Sequence, residues 1–171
     1  MAKTEIVIIG NIAMEQNTDC FDNHVIQEGG SCLYAAYVAA SLQKEYALVT
    51  KLSKSDEKML NKVWGVGGCL YTKYNGRTAA FENHMPHPDR EVVETLCLQK
   101  GAPFQIDDIP EIDTYVYYFA GDIYGDFPIE MQPAICEALE SNKKIGVFVN
   151  ESLLLSPSKS VTAIIGIENK I

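Results

Sequence analysis

Several side chains of this sequence could do chemistry, and most of them sit beside turns. Glu15 follows an apolar run and the turn Gly10-Asn11. Gly29-Gly30 precede an Ala-rich stretch, and Asp122 and Asp126 lie in Ala120-Gly121-Asp122-Ile123-Tyr124-Gly125-Asp126. A carboxylate at a strand end can accept hydrogen bonds from ligand hydroxyls, although such an acid is more often a plain surface group. A Gly pair at a helix start can present backbone N–H groups to an oxygen-rich ligand, or simply make a turn. His84 and His87 around Met85-Pro86, with Asp89 nearby, lack a third ligand at a fixed spacing and read as a polar loop, not a metal site. Asp19, Asp22, Asp107 and Asp108 read as turn acids.

Two nucleotide motifs are excluded by spacing. Gly65-Val66-Gly67-Gly68 has neither the spacing nor the Lys of a phosphate-binding loop. Ile12 occupies the position where a dinucleotide fingerprint starting at Gly10 needs its second Gly. Cys20, Cys32, Cys69, Cys97 and Cys136 are scattered with no CxxC pair, so buried free thiols are expected.

The chain has 171 residues, 47% of them hydrophobic and 22% charged, which suits one globular domain spanning 1–171. Its net charge of −9 argues against nucleic acid and anionic membrane surfaces as partners. The apolar run 6–9 is too short for a signal peptide, and no stretch is long enough to span a bilayer. A cytoplasmic protein is expected.

The elements that must carry these residues follow from pattern. Residues 4–9 read as a buried strand, and 12–27 as one or two short strands. A helix is expected from Ser31, its N-cap, to about 43; it is apolar nearly all round and should be packed on two sides. Residues 46–52 form a second strand. Ser53 with Asp56 resembles a capping box opening a short helix to about 63. Segments 69–74 and 77–84, joined by Asn75-Gly76, read as a hairpin, with a further strand at 91–99. Residues 114–119 and 145–149 are buried strands. Between them runs a helix over 129–139, with Asp126 as its cap and Met131, Ile135 and Leu139 inward. Residues 161–167 could add a strand. Alternating β and α predicts a parallel sheet with helices on both faces, and the meander predicts a separate small β-sheet.

Gly10-Asn11-Ile12-Ala13-Met14-Glu15, Gly29-Gly30 and this layout resemble the opening of the ribokinase-like (phosphofructokinase-B type) sugar and nucleoside kinases over residues 4–149. The resemblance implies an α/β core and a β-sheet lid formed by about 12–27 and 69–99. Where that family has Gly-Ser-x-Asn-x-Asp, this chain keeps an acid, Glu15, but has Ala13 in place of Asn. Where the family has an Asn five positions after the first Gly of the Gly pair, this chain has Tyr34. Thr78-Ala79-Ala80-Phe81-Glu82-Asn83 matches a Thr-x-x-Phe-x-Asn lid segment found in a branch that takes inositols, nucleosides or unassigned sugars. Substrate contacts are therefore expected from Asn11, Glu15, Gly29, Gly30, Tyr34, Phe81, Asn83 and Asp122.

The resemblance also implies ATP and Mg2+, a small polyol, sugar or nucleoside as substrate, and a homodimer through lid strands. The family's late Gly-Ala-Gly-Asp motif, which supplies the base and the anion-stabilising N–H groups, is not found. The chain is thus expected to be an N-terminal portion, truncated relative to the family, with the nucleotide site missing and little or no kinase activity alone. The stretch around Asp122 looks like that motif out of context but fits the family's mid-chain strand-end loop better. The alternatives are a non-catalytic binding or assembly module that dimerises through its lid strands, and a small intact enzyme using Asp122 as base.

Overall fold

The computed structural model describes residues 4–66, 68–74, 76–89, 92–114, 116–123, 125–131, 133, 137 and 145–150. Their strands form two sheets. The larger has the order β5-β4-β1-β8-β9, with β1 at Ile6–Ile9, β4 at Tyr46–Leu52, β5 at Cys69–Tyr74, β8 at Val116–Gly121 and β9 at Ile145–Asn150. Every pairing in it is parallel. Successive β1 residues face opposite sides of the sheet, so its apolar run serves two cores. Ile8 joins Leu33, Ala36 and Leu48 in one, while Val7 and Ile9 join Phe104, Tyr117 and Phe119 in the other. All seven residues of β4 are buried.

Helix α1 (Ser31–Ser41) covers the first face, with Cys32, Leu33, Ala36 and Ala39 buried against the sheet. Its small residues allow close approach, as expected from the sequence. The start differs: Gly30 is the N-cap, with φ of 97°, and Ser31 is the first helical residue. The Ser53 region opens a 3₁₀ turn, Lys54–Met59, which leads into α2 at Leu60–Val66. Asp56 does not close a capping box. Its carboxylate instead accepts the Thr78 hydroxyl at 2.5 Å, and Thr78 Oγ1 accepts the Ser53 N–H at 2.9 Å. The second face is covered by the segment carrying Phe104, Ile109 and Ile112, together with Phe127 and Met131. Where a helix is expected over 129–139, the described residues form a short 3₁₀ turn at Ile129–Met131, and Pro133 and Glu137 are α-helical. Ile135, Leu139 and the strand expected at 161–167 lie outside the described residues.

The smaller sheet has the order β3-β2-β6-β7, built from β2 (Ala13–Thr18), β3 (His24–Gly29), β6 (Ala79–His84) and β7 (Glu94–Gln99). Strands β2 and β6 run parallel at its centre, flanked by antiparallel partners. The hairpin expected around Asn75-Gly76 does not form. Strand β5 pairs with β4, Ala47 opposite Cys69, while β6 pairs with β2 in the other sheet. Six parallel register pairs with β4, together with the partly buried Cys69 and Leu70 packing against opposite cores, outweigh the local turn signal at this edge strand. Residues 69–74 therefore belong to the core sheet and not to the lid. Of the four described cysteines only Cys32 is buried; Cys20, Cys69 and Cys97 are partly exposed.

One buried ion pair ties the layers together. Lys51, 5% exposed, pairs with Asp108, donates to the Pro103 carbonyl at 2.7 Å and stands 4.9 Å from the Phe104 ring centre. Burial would raise the Asp108 carboxyl, but hydrogen bonds from Lys51 and Lys73 hold it below its ordinary range. Asp108→Ala strands a buried ammonium and should cost about 3 kcal/mol in urea unfolding at neutral pH. Because the folded-state value is depressed, this contribution is present above the ordinary carboxylate range and disappears as pH falls through the folded value. The gap between variant and parent should therefore shrink in acid.

Candidate functional site

The chain runs outward from β1 to β4 and β5, then returns to the other side of β1 as β8 and β9. The direction of winding reverses between β1 and β8. In open α/β sheets, ligands bind in the crevice beyond the strand ends at such a point. Here the ends of β1 and β8 carry Asn11 and Asp122, α1 begins beside them, and the small sheet lies above.

Asp126 organises this junction. Its Oδ2 accepts the N–H groups of Asp122 and Ile123 at 2.8 and 3.1 Å, and its Oδ1 accepts Asn11 Nδ2 at 3.2 Å. These bonds close its own loop back onto the end of β8; the helix the sequence expected it to cap lies largely outside the described residues. Burial pushes the Asp126 carboxyl above the ordinary range, against the pull of these donors. Asp122 Oδ1 accepts the Ser31 N–H at 2.8 Å. It thus caps α1, where Gly30 offers no side chain, and places a carboxylate at the positive end of the helix.

The small sheet closes over this point through apolar contact. Ala13, Ala79 and Phe81 from its inner face pack with Ile123. Glu15 reaches back across the junction: Oε1 accepts the Gly30 N–H at 2.9 Å and Oε2 accepts the Tyr34 hydroxyl at 2.7 Å. A Cβ at Gly29 would overlap the Glu15 carboxylate, which explains the first Gly of the pair. Asn83 is held from both sides, donating to Asn17 Oδ1 at 2.9 Å and accepting Thr95 Oγ1 at 2.8 Å.

These groups enclose a crevice of about 220 Å³. Five of the eight residues expected from the sequence line it: Glu15, Tyr34, Phe81, Asn83 and Asp122. Asn11 is fully buried and is used to hold Asp126, while Gly29 and Gly30 position Glu15. Ser31 and Thr95 also line the crevice and escaped the sequence reading. Ser31 could have been found from its place at the helix start. Thr95 could not, because its position depends on the β6–β7 register, Asn83 opposite Thr95. The Cys32 thiol, close by, is raised far above its usual range by burial first and by the Asp122 carboxylate next, so it is no nucleophile. His84 is exposed and lies 3.5 Å from Glu94; among the described residues no group of three His, Cys, Asp or Glu could hold a metal.

No protein-family model and no curated protein matches the chain. Solved structures do. A pyrophosphate-dependent kinase in the ribokinase family, complexed with a pyrophosphate analog and myo-inositol, matches with a TM-score of 0.68 at 21% identity, over 78% of this chain and 46% of that one. An uncharacterized sugar kinase from Pyrococcus horikoshii matches at 0.67 and 14% identity, over 90% and 57%. Arabidopsis thaliana ribokinase, complexed with ribose and ATP, matches at 0.63 and 13% identity, over 88% and 55%. The chain has the ribokinase-like fold. It spans about half the length of these solved structures.

Asp126 makes the junction sensitive to pH. With its folded-state value raised, stability is highest below the ordinary carboxylate range and is lost as pH rises through the folded value. In Asp126→Asn the amide oxygen keeps the two loop N–H groups. Asn11, whose Oδ1 has no partner, turns its amide to accept from the new residue. Melting temperatures measured from pH 4 to 7 should therefore fall less steeply in the variant than in the parent.

Proposed function

We propose that the chain binds a small polyol, sugar or nucleoside in the crevice beneath its lid. We further propose that it represents the acceptor side of a phosphotransferase that acts on an alcohol group. The observation that carries this reading is the convergence of Glu15, Tyr34, Asn83 and Asp122 on one crevice at the point where the sheet reverses its winding. Two carboxylates, three hydroxyls and one amide around the Phe81 ring suit a ligand rich in hydroxyls. The matched folds that carry ribose and myo-inositol support the same class.

The donor side rests on weaker ground. The sequence has no Gly-Ala-Gly-Asp stretch, and Asp122 spends one oxygen on the Ser31 N–H, which fits a positioning role better than that of a base. ATP is the donor implied by resemblance, but one matched kinase is pyrophosphate-dependent, so the fold alone does not choose. The described residues offer no ligand set for Mg2+, and no step is assigned to it. Little or no phosphorylation by this chain alone is the expected outcome.

The test is a thermal-shift series with ribose, fructose, myo-inositol and adenosine, each with and without Mg-ATP or pyrophosphate. A ligand that binds only the folded state raises the midpoint. At least one polyol or nucleoside should do so, and Mg-ATP alone should not. Silence from all four would sink the acceptor-site reading; a clear shift with Mg-ATP alone would sink the donor-poor one.

A second reading, assembly through the lid, is favoured by a separate observation. The lid edges β3 and β7 expose Ile26 (68%) and Leu96 (59%). Edge strands with exposed apolar side chains recruit partners. Light scattering should give a dimer mass for the parent and a monomer mass for Ile26→Asp/Leu96→Glu. A monomeric parent excludes this reading.

A further inference from the structure

Tyr34 stands where three cavities meet. It lines the inner crevice of about 220 Å³, an outer volume of about 390 Å³ along the inner face of the lid, and an apolar groove of about 520 Å³ beside α1. It sits in the first turn of α1 yet is tied to the lid, because its hydroxyl donates to Glu15 on β2 at 2.7 Å and meets Gln27 on β3. The Glu15 carboxylate is tied in turn to the Gly30 N–H, pressed against a backbone that has no Cβ at Gly29.

We propose that Tyr34 and Glu15 form a latch between α1 and the lid, and that the latched ring is the wall that sets the size of the ligand. The ligand part rests on the polyol reading above. Three features support the wall. A phenol donating to a carboxylate makes one of the stronger hydrogen bonds available to a side chain. Burial, then the bond to Glu15, pushes the Tyr34 phenol well above its ordinary range, so it stays protonated and remains the donor at neutral pH. The inner crevice is also small: ligand pockets usually measure roughly 300–1,000 Å³. Alone it suits one ring, whereas joined to the outer volume it would admit two. Both cavities share Glu15, Tyr34 and Asn83, and of these Tyr34 is the large ring. The latch also gives Glu15 a role other than a free acceptor, since each of its oxygens already receives a donor from the chain itself.

The latch is tested without ligand. Melting temperatures are compared for the parent, Tyr34→Phe, Glu15→Ala and the double variant. The double variant should lose clearly less than the sum of the two single losses; full additivity overturns the latch whatever the chain binds. The wall is tested by calorimetry with myo-inositol as the one-ring probe and maltose as the two-ring probe, using the parent, Tyr34→Phe and Tyr34→Ala. The parent should bind myo-inositol and not maltose. Tyr34→Phe keeps the ring but loses the bond, so it should bind myo-inositol several-fold more weakly and still exclude maltose. Tyr34→Ala should gain maltose binding at least tenfold, with circular dichroism confirming its fold. A parent that binds maltose as tightly as myo-inositol overturns the wall while leaving the polyol reading intact. A parent that binds neither probe, with maltose also failing on Tyr34→Ala, overturns the wall; the polyol reading falls with it only if ribose, fructose and adenosine are silent as well, and the double-variant comparison decides the latch on its own.

Discussion

Asp126 is a buried carboxylate that accepts three N–H groups, and the crevice takes its shape from that arrangement. Two of the donors are backbone groups of its own loop, at Asp122 and Ile123; the third is the amide of Asn11 at the end of β1. A single acid thus joins the ends of two neighbouring strands. Hydrogen bonds to a charged group contribute roughly 1.5–3 kcal/mol each, which offsets only part of the burial that raises its carboxyl. The loop so formed points Asp122 at the start of α1 and Ile123 at the lid. Helix, sheet and lid therefore meet at one five-residue turn.

Ala13, Glu15 and Tyr34, where the sequence departs from the kinase motifs it resembles, are coupled in space. Ala13 lies between Gly29 and Ala79 across the central lid strands and packs with Phe81, where a larger polar residue would have to displace its neighbours. Glu15 is one methylene longer than Asp and reaches both the Gly30 N–H and the Tyr34 hydroxyl. Tyr34, which stands where the family has Asn, supplies the matching donor. Substitutions that look independent along the chain therefore form a single contact network over the N-terminus of α1.

Much of the architecture was legible in the sequence because burial on two faces leaves a plain mark. The β-branched run of β1 and the aromatic run of β8 read as core strands, and the Ala pattern of α1 read as a helix on a sheet. Asn75-Gly76 misled because a turn signal reports only local preference, while β5 completes the edge of the core sheet by pairing with β4 along its whole length. Asn11 was assigned to substrate on its motif position, yet it is wholly buried and bonded to a residue 115 positions away. Ser31 looked like a cap by residue type, but the cap comes from Asp122, and no local rule anticipates a donor–acceptor pair so distant in sequence.

By itself the sequence determined the parallel α/β core and the separate small sheet, since composition and periodicity encode what each segment can bury, while Glu15, Tyr34, Phe81, Asn83 and Asp122 were singled out by the resemblance. The tertiary structure alone decided which of those side chains share a crevice, which are spent on holding others, and that β5 belongs to the core. Those outcomes depend on strand register and on hydrogen bonds between residues far apart in the chain, and neither leaves a periodic trace in any one segment.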